Sequence, residues 1–240
     1  MRSIAVVIFI TVLTTFHSVS FATQTGHQPW ADTVFTYIKK TYGPTAEQRM
    51  RKIESIIAIN YNKPVMQKLD ITNYAMNHLP WIADRKKYNA DDYWATPLET
   101  IATFGGDCED IAISKFVMLR HMGIPAKHLR LAYVKIIRTG ESHMVLLYVE
   151  NPHLPIPQQR SLVLDNYVGR ILPGKERTDL IAVYAVDGDN NVVLFNDDGV
   201  KRTVKATVSK AKYAKLDKVK EQIAANQDKY QALNGGRPLY

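Results

Sequence analysis

The stretch "FGGDCEDIAISKFVMLR", Phe104–Arg120, holds the only cysteine of the 240-residue chain. Gly105 and Gly106 allow the entering backbone to turn tightly and leave room for another group to approach. Asp107 is a residue type favoured at helix N-caps, and Cys108, Glu109 and Asp110 would then form the first turn. Ile111, Phe116, Val117 and Leu119 follow with the density of a buried helix, which Gly123 and Pro125 end in the usual order. The spacing predicts a helix from Asp107 to Met122 with its one thiol at the positive end of the helix dipole. Such a setting, with a cationic neighbour, brings a cysteine pKa from about 8.5 into a range of roughly 3.5–7.5. The plain alternative is a small apolar residue tucked beneath a helix cap.

On the N-terminal side the pattern is helical. Trp30, Val34, Ile38 and Tyr42 recur at helical spacing, Met50, Ile53, Ile56, Ile57 and Ile59 form a second set between Pro44 and Pro64, and a third helix is expected from Val65 to about His78. Residues 83–97 are polar and aromatic and read as a surface loop. On the C-terminal side, "LRLAYVKII" (129–137), "HMVLLYV" (143–149), "RSLVLDNY" (160–167), "LIAVYAV" (180–186) and "NVVLF" (191–195) read as strands, rich in β-branched and aromatic residues with turn residues between them. A last helix is expected from about Val208 to Leu233. Helices first and antiparallel strands afterwards argue for an α+β fold, with helices packed on one sheet.

Residues 1–22 carry Arg2, an apolar run from Ile4 to Leu13, and small residues before a cut after Ala22. They read as a secretory signal peptide, with an uncleaved anchor as the alternative, and 23–240 as one domain. No cysteine near the cut permits a lipoprotein anchor. Without Arg2 the formal net charge falls from +8 to about +7, which suits acidic partners, anionic membrane surfaces or simply a soluble surface. The lysine-rich stretch 201–220 reads as a solvated helix face, with docking of an acidic partner as the alternative, and the chain has no nucleic-acid recognition motif. In an oxidising compartment a lone cysteine makes no internal disulfide, so it is structural, a dimer bridge or a reactive thiol.

A nucleophilic thiol needs a base and a group that orients the base. His143 begins one expected strand and Asp165 ends the next, so neighbouring antiparallel strands can bring them together across the helix N-terminus. His121 lies on the cysteine's own helix, about 20 Å along the axis at 1.5 Å per residue, and the other histidines fall in loops or in the helical region. Cys108, His143 and Asp165 are therefore the candidate nucleophile, base and orienting carboxylate. The Cys108 backbone N–H would supply one oxyanion donor, with Trp94 as a candidate second donor or simply a packing residue.

Three stretches, "WATPLETIATFGGDCEDIAISKF", "HMVLLYV" and "LVLDN", resemble the bacterial transglutaminase-like cysteine proteinases over roughly Trp94 to Phe195. The resemblance implies a papain/transglutaminase-like fold, a Cys108–His143–Asp165 triad, a periplasmic location and dependence on Ca²⁺. It also implies an outer-membrane-associated adhesin as substrate, cut near its N-terminus beside paired small residues. The implied controller is an inner-membrane receptor that captures the protease when cyclic-di-GMP is high, linking it to biofilm attachment. One departure is the long, proline-rich "VENPHLPIPQQRS" between the His and Asp strands, which bears on the substrate rim.

The implied calcium has a physical rationale. One carboxylate about 5 Å from the sulfur opposes a thiolate by about 3 kcal/mol at an effective dielectric near 20, or roughly two pKa units. The helix terminus returns only about 0.3–1 kcal/mol, reaching about 2 in favourable cases. A hard cation with oxygen ligands resolves the conflict, with Asp107 and Glu109 as leading ligands and Asp91 and Asp92 as weaker ones. Acids favour first helical turns in any case, and without the resemblance that is the simpler account. The acidic "DGDNN" (187–191) lacks the glycine and glutamate of a calcium loop and reads as a hairpin turn. Three activities stay open: an endopeptidase, an acyltransferase or deamidase acting on protein glutamine with the same triad, and an exported binding module.

Overall fold

The amphipathic segments of the N-terminal half build a helical layer, and the β-branched segments of the second half build one sheet beneath it. The computed structural model describes residues 26–187, 191–195, 201–205 and 230–237. The expected leader at 1–22 lies outside them, as does the expected C-terminal helix apart from 230–233, which is helical. Among the described residues no helix is long and apolar enough to cross a membrane.

The helices are α1 (Asp32–Tyr42), α2 (Pro44–Asn60), α3 (Val65–Asn77), α4 (Asp84–Lys87), α5 (Pro97–Ala102) and α6 (Cys108–His121). Strands β1 (Leu129–Ile136), β2 (Ser142–Val149), β3 (Ser161–Leu164), β4 (Leu172–Pro173), β5 (Leu180–Asp187), β6 (Asn191–Phe195) and β7 (Lys201–Lys205) follow. They form one antiparallel sheet in the order β4-β3-β2-β1-β5-β6-β7. The α+β expectation holds. Val186 pairs with Val192 in the antiparallel β5–β6 pair, while residues 188–190, where the turn is expected, lie outside the described residues.

Period-3.6 burial works where two helices meet. Val34, Phe35, Ile38, Met50 and Ile57 share one core with Ile111 and Met118 of α6 and with Met122 just beyond it, and Tyr230 joins from the C-terminal end. Ile59, read as part of the apolar face of α2, is 67% exposed because the helix turns that position outward in its last turn. On the sheet side, Leu69 and Leu119 pack with Leu129, Leu146 and Leu164. Helix α6 is thus the shared wall of both cores.

Its C-terminus is closed by Gly123 at φ 82°, with Gly123 N–H bonded to Arg120 O at 2.9 Å and Ile124 N–H to Leu119 O at 3.0 Å. That is the Schellman arrangement, open to glycine at the left-handed position.

The sequence reading fails at three places. Residues 83–97 are not a plain surface loop, since they contain α4 and the buried Asp84, Trp94, Ala95 and Thr96. Thr96 caps α5 in a capping box with Glu99: the Thr96 hydroxyl takes the Glu99 N–H, and the Glu99 carboxylate takes the Thr96 N–H at 2.9 Å. Residues 201–205 of the lysine-rich stretch form β7 rather than a helix face, because they pair with 191–195 in register.

Leu119 is fully buried between the cores. Leu119→Ala should destabilise the fold by about 2–5 kcal/mol and Leu119→Met by less than about 1.5 kcal/mol, as measured by denaturant unfolding.

Candidate active site

The Gly-Gly turn sets where α6 begins. Gly105 has φ 134°, and a Cβ there would lie 2.6 Å from the Pro80 carbonyl oxygen. A Cβ on Gly106 would meet the Asp110 carboxylate at 2.4–2.9 Å. Gly106 instead pairs with the 80–82 segment, its N–H to Pro80 O at 3.2 Å and its carbonyl accepting Ile82 N–H at 2.9 Å. The sequence shows two glycines. The structure adds what each makes room for, a passing backbone and a buried acid.

Asp107 occupies the N-cap position, yet its side chain makes no capping hydrogen bond. It turns instead toward other acids, which overturns the capping expectation. Carboxylate oxygens of Asp84, Asp107 and Asp110 lie within 4.8 Å of one another, as do those of Asp84, Asp92 and Glu109. Asp84 is 5% exposed and Asp110 is fully buried. Each spends one oxygen on a backbone donor, Asp84 Oδ2 on Tyr93 N–H at 2.5 Å and Asp110 Oδ1 on Ala95 N–H at 2.7 Å. That leaves Asp84 Oδ1, Asp107 Oδ1 and Asp110 Oδ2 buried without partners among the described residues.

Burial first, and then the charge of Glu109, raises the pKa of Asp107, while burial and the neighbouring acids push that of Asp110 up to about 8. Three orphaned carboxylate oxygens in one place match the hard-oxygen set that a calcium-like ion prefers. Of the two weaker candidates Asp92 belongs to the cluster, whereas Asp91 is exposed and bonded to Arg85. Asp84 and Asp110 join the expected Asp107 and Glu109 as candidate ligands that the sequence pattern does not mark.

Cys108 sits half-buried among Trp94, Ala112, Ile113 and Met144. Its S–H donates to Glu109 Oε2 at 3.0 Å, and the Met144 N–H bonds to the sulfur. Burial raises the thiol pKa most, followed by the charge of Glu109, the bond to it and the charge of Asp107, against which the Met144 N–H is a minor counterweight. The acids thus outweigh the helix dipole at Cys108, and desolvation acts on their side. Trp94 gives its indole N–H to Asp92 Oδ1 at 3.2 Å and packs against the cysteine, so the packing role applies rather than the oxyanion role.

His143 and Asp165 meet as expected. His143 Nε2 lies 2.7 Å from Asp165 Oδ1 in a buried pair. Asp165 also accepts Tyr167 N–H at 2.8 Å and Arg177 Nη2–H at 2.7 Å. Burial pushes the Asp165 carboxyl up, but the bond and charge of His143, the Tyr167 amide and the Arg177 guanidinium prevail and hold it at about 2.

An ionised carboxylate only accepts, so Nε2 carries a hydrogen and Nδ1 is the nitrogen left for a substrate or thiol. The thiol reaches the backbone of Met144, one residue beyond His143. Among the described residues its own hydrogen goes to Glu109 and not to the imidazole. Arg177 has no sequence signal. It arrives from the turn after β4 and also bonds Asp179 at 2.8–2.9 Å.

A family model for bacterial transglutaminase-like cysteine proteinases (BTLCP) matches residues 45–179. Among solved structures, EGTA-treated LapG of Legionella pneumophila is 27% identical with a TM-score of 0.63, covering 81% of this chain and 99% of that one. Calcium-bound LapG of the same organism is 28% identical with a TM-score of 0.60, covering 77% of this chain and 98% of that one. No curated protein matches the chain by sequence.

The shifted acids fix a pH dependence for the metal-free protein. The folded pKa of Asp107 is raised and that of Asp110 is about 8, whereas both ionise near about 3.9 when unfolded. The folded state thus binds more protons between these values, and its stability falls as pH rises from about 4 to about 8. Asp165, depressed to about 2, acts in the opposite direction: its contribution is present above about 4 and is lost as pH falls toward 2. Thermal unfolding in chelator should show a midpoint that drops between pH 5 and pH 8, and a flat profile there contradicts the assignment.

Proposed function

The chain belongs to the bacterial transglutaminase-like cysteine proteinases, and from that membership we propose a calcium-dependent cysteine endopeptidase with Cys108 as nucleophile, His143 as base and Asp165 as its orienting group. The single observation that carries the proposal is the 2.7 Å bond between Asp165 and His143, whose neighbour Met144 on β2 packs against the only thiol of the chain.

In the proposed sequence His143 Nδ1 takes the thiol proton and the sulfur attacks the peptide carbonyl. The developing oxyanion is stabilised by the Cys108 N–H at the start of α6, where the helix end favours negative charge. The imidazolium, held against the Asp165 carboxylate, returns the proton to the leaving amine, and water then hydrolyses the thioester. Arg177 keeps Asp165 ionised for that cycle.

Asp84, Asp107, Glu109 and Asp110 would hold calcium, with Asp92 at the edge. When bound, the ion supplies positive charge that offsets these carboxylates and so favours the thiolate. The likeness to a protein solved in both calcium-bound and EGTA-treated forms supports this reading. The sequence resemblance extends the proposal to export through residues 1–22 into the periplasm. It adds release of an outer-membrane-associated adhesin as the task and capture by an inner-membrane cyclic-di-GMP receptor as the control.

Mass spectrometry of a surface-protein extract from the parent organism, incubated with residues 23–240, tests the activity. New peptide termini should appear and should vanish with a calcium chelator and with Cys108→Ala. Isopeptide crosslinks or deamidated glutamines in their place overturn the endopeptidase in favour of the acyltransferase. On a cleaved substrate, Asp165→Asn should lower kcat about 10²–10⁴-fold. Asp84→Asn should raise the calcium concentration for half-maximal rate at least about tenfold while leaving the rate at saturating calcium within a few-fold.

A further inference from the structure

The face of the sheet turned away from α6 carries a cavity of about 670 Å³. Strand alternation puts Ala132 and Val134 of β1, Val145 and Leu147 of β2 and Val163 of β3 on this face, with Leu180 beside them. Strands β1 and β2 are each paired on both sides, so the wall offers side chains and no free backbone groups.

At one end stands Arg130, 9% exposed. Its Nη1 donates to the neutral Gln159 Oε1 at 2.7 Å, and its Nε is buried with no partner among the described residues. Among the described residues no carboxylate lies within ion-pair distance of it. Asp187, its cross-strand neighbour, favours the charge, but burial outweighs that help. The other cations of the cavity are answered, Arg177 by Asp165 and Asp179, and Arg160 by Glu150 at 2.9 Å, while Lys175 is exposed to water.

A buried guanidinium whose Nε–H has no partner among the described residues calls for a carboxylate. The apolar wall decides what the carboxylate is attached to. A peptide laid there would leave its own N–H and C=O groups unsatisfied, whereas an alkyl chain has none to satisfy. From Arg130 to Val134 the strand runs about 13 Å, the reach of a medium-length chain.

The geometry points to a binding site for an aliphatic monocarboxylate of medium chain length, its head on Arg130 and its chain along the β1–β2 face. The site is separate from the thiol and stands independently of the protease reading.

Isothermal titration of residues 23–240 with decanoate tests it. Saturable binding of one decanoate per chain is expected, with no binding of decyltrimethylammonium. Arg130→Gln should weaken decanoate at least about tenfold. Ala182→Trp, which fills the cavity from β5, should abolish binding and decides the matter if Arg130→Gln does not fold. No saturable binding to the wild type, decanoate binding unchanged in either folded variant, or equal binding of the cation overturns the proposal.

Discussion

Charge crowded around a buried thiol is the constraint on which this molecule depends. Asp84, Asp92, Asp107, Glu109 and Asp110 gather near the first turn of α6, and Cys108 answers them by staying protonated and donating to Glu109. A helix terminus returns about 2 kcal/mol at best, against about 3 kcal/mol for one nearby carboxylate. Left alone, such a site favours neither its own stability nor its nucleophile. Both problems have one remedy, positive charge delivered among oxygens that have no other partner.

The scaffold holds that conflict in place. Helix α6 is gripped at both ends, by the Gly105–Gly106 turn against residues 80–82 and by the Gly123 closure, and along its length by two cores. On the sheet, the register of β2 with β3 sets Leu146 opposite Leu164, which carries Asp165 toward the start of β2 and His143. Asp165 is then saturated by an imidazole, an amide and a guanidinium. The two halves of the site are therefore opposite in character. The carboxylate behind the base is fully paired, while the carboxylates beside the nucleophile are not.

What could be read from sequence follows from how local each signal is. Cys108, His143 and Asp165 each sit at the end of a strongly periodic segment, so pattern alone placed them on one helix and two adjoining strands. Asp84 lies far back in a polar stretch, and only the pairing of 80–82 with Gly106 brings that stretch to the site. Asp110 resembled any first-turn acid, and nothing local marks it as buried. Arg177 enters from a short turn with no pattern at all. In the fold, α5 opens with "TPLE", a capping box with proline at its first turn, and that signal straddles the end of the 83–97 stretch whose polar residues read as a loop. Strand β4 is two residues long, below what alternation can show.

The most direct measurement is the rate of Cys108 alkylation by iodoacetamide as a function of pH, in chelator and in millimolar calcium. The account predicts a thiol slower than free cysteine near neutral pH in chelator. With calcium the rate profile should move to lower pH, and the Asp84→Asn, Asp110→Asn double variant should lose that shift. Identical profiles with and without calcium would contradict it, because the carboxylates would then not be what holds the thiol in its protonated form.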